Sequence, residues 1–166
     1  IYSWETWLGG TMRDFENVFQ YKSGNKVFTK ATYDTKATDD VDYKSFYSEI
    51  YSLKVTDKTY YLGVFNGIYS TKDASQSIKL FTIENNVLND TLKLIKTKSG
   101  FTNEITVNFD FFSVVDRPER PLKLIKYDSV TKKIYIPIVF ENGKVTDRFI
   151  TYQFTGKYFE KMTAKK

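Results

Sequence analysis

Apolar and polar residues alternate with a period of two along most of this chain, and that pattern predicts β-strands. The clearest example is the pair of segments 134–140 and 145–154, which flank the sequence Glu-Asn-Gly-Lys. Asn-Gly supplies the positive φ angles that a two-residue hairpin turn requires. The pattern therefore predicts an antiparallel hairpin near the C-terminus.

The same alternation predicts further strands, joined by short polar turns. They cover residues 13–21, 26–33, 59–65, 77–83, 91–96, 104–115, 122–127 and 158–160. Asn66-Gly67 is expected to end one of them. Segments 12–19 and 43–51 also fit helical spacing, but their aromatic and β-branched residues favour strands. Pro137 cannot donate to a β-ladder, so it predicts a sheet edge or a bulge.

These patterns predict one all-β domain spanning residues 1–166, with about ten short antiparallel strands in meanders. A sandwich or a barrel is favoured, and a partial propeller is the alternative. The chain opens at Ile1, without Met and in the middle of an alternating segment. We therefore expect it to be the C-terminal part of a longer precursor.

The composition excludes most of the common catalytic and metal-binding sites. The chain has no Cys and no His, so Ser-His and Cys-His nucleophile pairs, zinc ribbons and disulfides are excluded. We expect no cofactor and a fold that does not depend on a metal. The acidic residues Asp39, Asp40 and Asp42 resemble half of a calcium loop, but Lys44 and the lack of a following Gly break the pattern.

The charge pattern and hydropathy limit the possible partners. The net charge is +5, but lysines are scattered singly and form no basic stripe, so nucleic acid is not an expected partner. No run approaches the roughly 18 apolar residues of a membrane-spanning helix, so we expect no transmembrane segment.

Both tryptophans lie in the first candidate binding segment, Trp4-Glu5-Thr6-Trp7-Leu8-Gly9-Gly10. Trp4 and Trp7 would suit an aromatic platform that stacks on a sugar, and the two glycines would allow close approach of a ligand. The favoured interpretation is structural, because tryptophan is strongly buried on average.

The second candidate segment is the loop at 116–121, which two prolines hold extended. Arg117 and Arg120 would suit a carboxylate or phosphate, and Asp116 and Glu119 are the one pair of carboxylates that would suit acid–base catalysis. The favoured interpretation is an exposed connection whose charges pair with one another.

Adjacent aromatic residues give one further constraint. Tyr60 with Tyr61, and Phe111 with Phe112, would point to opposite faces of a strand. We therefore expect either a sheet covered on both faces or an exposed aromatic patch, and burial on both faces is favoured.

Three stretches carry a resemblance: YSWETWLGGTM, DFFSVVDRPERP and IYIPIVFENGKVTDRFITYQFTGKYF. Together they resemble a group of uncharacterised β-rich proteins of Bacteroidetes-type bacteria. The resemblance covers most of the chain and implies a secreted, periplasmic or envelope protein, again as the C-terminal part of a precursor. It implies no activity and no functional residues.

Three functional hypotheses follow. The favoured one is a non-enzymatic envelope or extracellular module that has a structural role or binds a glycan or another envelope protein. The alternative is a carboxylate-dependent hydrolase acting on carbohydrate, and the third is a function outside both classes. Fold class alone does not choose among them.

Overall fold

The structure is a computed structural model that describes residues 1–8, 10–31, 45–56 and 58–163. Its strands are β1 (Tyr2–Glu5), β2 (Phe15–Ser23), β3 (Lys26–Ala31), β4 (Ser45–Val55), β5 (Lys58–Ile68), β6 (Asp73–Glu84), β7 (Val87–Asn89), β8 (Ile95–Thr97), β9 (Gly100–Thr102), β10 (Glu104–Asp110), β11 (Lys126–Asp128), β12 (Lys133–Val139), β13 (Val145–Phe154) and β14 (Phe159–Lys161). A single-turn 3-10 helix covers Phe111–Val114.

The strands form three sheets, none of them closed into a barrel, so the predicted all-β fold is confirmed. The first sheet has the order β1-β2-β3. The second has the order β10-β6-β5-β4, with β7 added beside β6, and the third has the order β11-β12-β13-β14-β8-β9. All pairings are antiparallel except β8 with β14, which is parallel and departs from the expected all-antiparallel arrangement.

The five-stranded sheet is the middle layer of the domain. On one face, Leu62 and Leu80 pack against the six-stranded sheet in the main core, together with Phe159. On the other face, Tyr61 and Phe81 form a second cluster with Phe19 of the three-stranded sheet. Burial on both faces is thus confirmed, and it explains why β6 is buried along most of its length.

Tyr60 and Tyr61 show how the two faces are filled. Tyr60 packs against the main core, and its neighbour Tyr61 packs against the cluster on the opposite face.

The two segments that fit both helical and strand spacing form strands within the described residues. Segment 12–19 leads into and forms part of β2, and the described part of 43–51 lies in β4.

Several predicted strand boundaries are wrong. Asn66 and Gly67 do not end a strand but lie within β5, and the turn back to β6 comes after Ile68. The strand expected at 91–96 is only Ile95–Thr97, and the chain first returns along β6 as Val87–Asn89. The last strand starts one residue later than expected, at Phe159.

The long strand predicted for 104–115 ends at Asp110, because side-chain hydrogen bonds begin the 3-10 helix there. The Asp110 carboxylate accepts from the backbone N–H of Phe112 at 2.9 Å, and Ser113 Oγ donates to the Asp110 carbonyl at 2.7 Å. Phe111 therefore packs into a core cluster while Phe112 is exposed, without the alternation of a strand.

The C-terminal hairpin is confirmed, and its turn differs from the two-residue type. Gly143 has φ +82°, and its N–H donates to the Phe140 carbonyl at 2.9 Å.

Pro137 pairs with Phe149, and the register shifts between Pro137 and Val139. The predicted bulge at Pro137 is therefore confirmed.

Candidate ligand-binding site

A cavity of about 360 Å³ lies between the end of the β5–β6 hairpin, the chain leading into β2 and the segment that follows the 3-10 helix. Its walls are mostly apolar and are formed by Phe46, Ile68, Ala74, Phe109, Phe111 and Leu122. Polar groups come from Asn66, Ser70, Thr71, Ser75, Arg13 and Arg120. An apolar cavity with a few fixed polar groups is the usual form of a small-molecule site.

The two segments predicted as candidate sites meet at this cavity. Gly10, Thr11 and Arg13 come from the tryptophan segment and the residues after it, and Arg120 and Pro121 come from the proline loop. The two segments are far apart in sequence. The sheet topology, rather than any local pattern, brings them together.

Trp7 does not line the cavity itself, but its exposed ring contacts Arg13, which does, and its backbone conformation is unusual. Its φ is +63°, in the left-handed region that side chains rarely adopt, and 79% of its surface is accessible. The Arg13 guanidinium lies 5.9 Å from the centre of the indole ring, a cation–π distance. Left-handed backbone at a bulky residue is costly and is found mostly at functional sites.

Arg13 is itself held in place. Its Nη1 lies 2.5 Å from Glu5 Oε1, and its backbone N–H donates to the Ile68 carbonyl at 3.0 Å. The loop between β1 and β2 is closed by the N–H of Thr6, which donates to the Asp14 carbonyl at 2.9 Å. Glu5, Arg13 and Trp7 therefore form a connected set that positions the indole ring next to the cavity wall.

The second tryptophan lies elsewhere. Trp4 and Tyr2 point to the outer face of the three-stranded sheet, with 41% and 66% of their surfaces accessible. Ser3, between them, points inward and donates to Asn17 Oδ1 at 2.5 Å. The favoured expectation that Trp4 and Trp7 are buried is therefore wrong, because β1 lies at a sheet edge and the chain then turns through a left-handed residue.

Arg120 stabilises the proline loop from within. Its guanidinium donates to the carbonyls of Arg117, Glu119 and Val115 at 2.6, 2.7 and 2.9 Å. The same guanidinium lies 5.7 Å from the ring centre of Phe111, which also lines the cavity. The charged group is thus fixed against the cavity wall.

The other charges of this loop lie outside the cavity. Arg117 is within 3.9 Å of Glu119 and 3.6 Å of Asp147, and Asp116 is exposed. The loop is therefore a surface connection, as expected, with Arg117 paired as predicted. Asp116 and Glu119 do not line this cavity.

Gln76 is the residue of this region that sequence patterns missed. It is fully buried, and its Nε2 donates to Asn66 Oδ1 at 2.7 Å and to the Leu122 carbonyl at 2.6 Å. Its Oε1 accepts from the N–H of Ile125 at 2.6 Å. Both Asn66 and Leu122 line the cavity, so Gln76 holds two of its walls together. No sequence pattern indicated it, because Gln76 lies just before the predicted strand 77–83.

This network also explains a wrong strand prediction. Residues 122–127 alternate like a strand, yet only Lys126–Asp128 forms one. The backbone of Leu122 and Ile125 bonds to the Gln76 side chain instead of a neighbouring strand.

At Gly67 the cavity wall leaves little space for a side chain. A Cβ at this position would lie 2.7 Å from Tyr69 Oη and 2.8 Å from Ser75 Oγ, and these two oxygens are themselves 2.9 Å apart. A side chain at position 67 would therefore displace the Tyr69 and Ser75 side chains, and glycine allows their close approach to β5.

A polar cluster lies on the middle sheet around Glu49. Lys123 Nζ is 2.6 Å from Glu49 Oε1, and the Tyr51 hydroxyl donates to Glu49 Oε2. Partial burial raises the pKa of Glu49, but hydrogen bonds from Lys123 and Tyr51 outweigh it, so this pKa is lower than usual. Burial and the contact with Glu49 raise the pKa of Tyr51.

Within the described ranges, no group of three or more acidic residues is arranged to hold a metal ion. The acidic residues Asp39, Asp40 and Asp42 lie outside the described residues. No helix in the part of the chain that the structure describes is long and apolar enough to cross a membrane.

Comparisons of the chain with protein-family models, with curated proteins and with solved structures gave no match.

Proposed function

We propose that this protein is a non-enzymatic binding module that recognises carbohydrate at the cavity beside Trp7. The exposed indole of Trp7 carries the proposal. Its ring contacts the Arg13 guanidinium, its backbone is left-handed, and most of its surface is free for a ligand. A rigid aromatic ring next to a small cavity suits a ligand with a flat apolar face and a polar rim.

The chemistry of the cavity supports a sugar ring. Apolar walls from Phe46 and Phe111 would contact the C–H groups of a ring, while Thr71 and Asn66 offer hydrogen bonds to hydroxyl groups. The interior of the cavity is too small for a protein domain but matches one or two sugar residues in scale.

A protein partner is the second candidate, and one observation favours it. Tyr2 and Trp4 lie exposed on the edge strand of the three-stranded sheet, and exposed aromatics are typical of protein interfaces. The hydrolase alternative has less support, because Asp116 and Glu119 lie outside the cavity.

The proposed setting is outside the cytoplasm, in the envelope of a bacterium or secreted from it. The resemblance of the three sequence stretches to exported β-rich proteins supports this placement. Nucleic acid is not proposed as a partner, because the lysines are dispersed along the chain.

A glycan-array screen followed by calorimetry with the best oligosaccharide tests the proposal. Trp7→Ala removes the stacking ring, and Thr71→Trp places a bulky group at an exposed wall of the cavity without entering the core. Each should weaken binding at least about fivefold, since aromatic contacts contribute about 1 kcal/mol or more.

Phe101→Ala is the matched control. Phe101 is also an exposed aromatic residue, but it lies on β9 at the edge of the six-stranded sheet. Its loss should leave the affinity unchanged. If the array gives no binding, or if Trp7→Ala and Thr71→Trp bind like the wild type, the proposal is wrong.

A further inference from the structure

We propose that the ligand of this cavity is an acidic sugar, whose carboxylate is bound by Arg120. This inference depends on the proposed function and makes it more specific, because it names the charge and the functional group of the ligand.

Among the described residues, those that line the cavity include two arginines and no carboxylate. The charge of Arg13 is balanced by Glu5, whose Oε1 lies 2.5 Å from Nη1. Arg120 has no carboxylate within 4.0 Å among the described residues, and its hydrogen bonds there all go to neutral carbonyls. The cavity therefore presents one cation whose charge is not balanced by the protein.

The Arg120 guanidinium is also oriented before a ligand arrives. Its Nη1 donates to the carbonyls of Arg117 and Glu119, and one Nη2 hydrogen goes to Val115. A guanidinium has five N–H donors. One N–H at Nε and one at Nη2 make no hydrogen bond to the loop. These two nitrogens form one of the pairs of donors by which a guanidinium binds a carboxylate bidentately.

The surroundings favour a charged pair over a neutral contact. The guanidinium lies 5.7 Å from the ring centre of Phe111, beside the apolar wall of Pro121 and Leu122. Arg120 is an exposed residue, but these apolar groups cover one side of it, so its attraction to an anion is stronger than that of a fully solvated charge. Because the loop holds the side chain in place, binding costs little side-chain entropy.

The direct test compares matched sugars on the wild-type protein. The probes are oligogalacturonate and its carboxyl-reduced, neutral form, and sialyllactose with lactose. The two pairs distinguish a uronic acid from a sialic acid as the source of the carboxylate. We expect one acidic probe to bind at least about tenfold more tightly than its neutral partner, the usual gain from a charged hydrogen bond. The advantage should shrink as salt is raised.

Variants test whether Arg120 is the cation. Arg120→Lys keeps the positive charge but loses the paired N–H donors of the guanidinium, and Arg120→Gln removes the charge. The preference for the acidic probe should fall in the first variant and disappear in the second. Arg148→Gln is the matched control, because Arg148 is exposed over Phe140 and does not line the cavity. It should keep the full preference.

The outcomes separate this inference from the proposed function. Equal binding of acidic and neutral probes, with loss of both in Trp7→Ala, overturns the inference and leaves the proposed function standing. An acidic preference that survives in Arg120→Gln also overturns it. If no carbohydrate binds, both are wrong. The comparison of probes uses the wild-type protein, so it remains decisive even if the Arg120 variants alter the loop.

Discussion

The side chain of Gln76 takes the place of a β-strand partner for Ile125, with its Oε1 accepting from the Ile125 backbone N–H at 2.6 Å. The Nε2 of the same side chain donates to the Leu122 carbonyl at 2.6 Å. One amide thus satisfies two backbone groups of a buried segment that has no strand beside it. The wall of the cavity depends on this arrangement.

Gln76→Leu should lower the free energy of unfolding by about 3 kcal/mol, since it leaves the Leu122 carbonyl and the Ile125 N–H buried without partners. Urea unfolding monitored by circular dichroism measures the loss. Gln20→Leu is the control, because Gln20 is exposed on β2, and its effect should stay within about 0.5 kcal/mol. Equal effects of the two substitutions would contradict the role given to Gln76.

The conformation of Trp7 gives a prediction about stability that does not involve a ligand. Trp7→Gly and Trp7→Ala both lack the ring, but only alanine keeps a Cβ at φ +63°. The glycine variant should be more stable than the alanine variant by about 1 kcal/mol, because a Cβ is disfavoured in left-handed backbone.

Trp4 provides the opposite comparison, since it lies within β1, where φ is negative. There the alanine variant should be the more stable of the pair, by about 0.5–1 kcal/mol. Thermal unfolding of the four variants measures both differences. The same order at both positions would show that Trp7 is not held in a left-handed conformation.

Glu49 gives a prediction about pH. Its pKa is lower in the folded protein than in the unfolded chain, because hydrogen bonds from Lys123 and Tyr51 outweigh its burial. Its contribution to stability is therefore complete above the unfolded pKa and is lost as the pH falls through the folded pKa. Glu49→Gln should be less stable than the wild type at neutral pH, and the difference should vanish in acid.

Urea unfolding of both proteins from neutral pH to pH values below the carboxyl range measures this change. Glu141→Gln is the control, since Glu141 is exposed at the hairpin turn. A destabilisation by Glu49→Gln that stays constant with pH would contradict the assignment.

The two arginines of the proline loop should differ in stability. Arg120→Ala removes hydrogen bonds to three backbone carbonyls and should cost about 1 kcal/mol. Arg117→Ala removes only surface ion pairs and should cost less than about 0.5 kcal/mol. Hydrogen exchange of the loop amides should quicken in the first variant alone. Equal effects would show that Arg120 does not organise the loop.

Local patterns predicted the hairpins of this fold well, because alternation and turn residues act between neighbours in the sequence. They failed at Asp110 and at segment 122–125, where side-chain hydrogen bonds replace strand pairing. The parallel pairing of β8 with β14 was also missed, since it joins segments that are distant in sequence.

The candidate site was predicted in part. The tryptophan segment was identified because it holds both tryptophans of the chain and a Gly-Gly pair, and the proline loop because it holds two prolines and four charges. Their meeting at one cavity was not predictable, since it depends on the register of three sheets. The exposure of Trp7 was missed because no local pattern indicates a left-handed backbone at a tryptophan.

Backbone amide shifts in the NMR spectrum, recorded while an oligosaccharide from the array screen is titrated in, test the central claim most directly. The account predicts that the largest shifts fall on Gly10, Arg13, Ser70, Arg120 and Leu122, which line the cavity from three separate parts of the chain. The indole N–H of Trp7 should move with them, and that of Trp4 should not. Shifts confined to another surface, such as β9 around Phe101, would contradict the account.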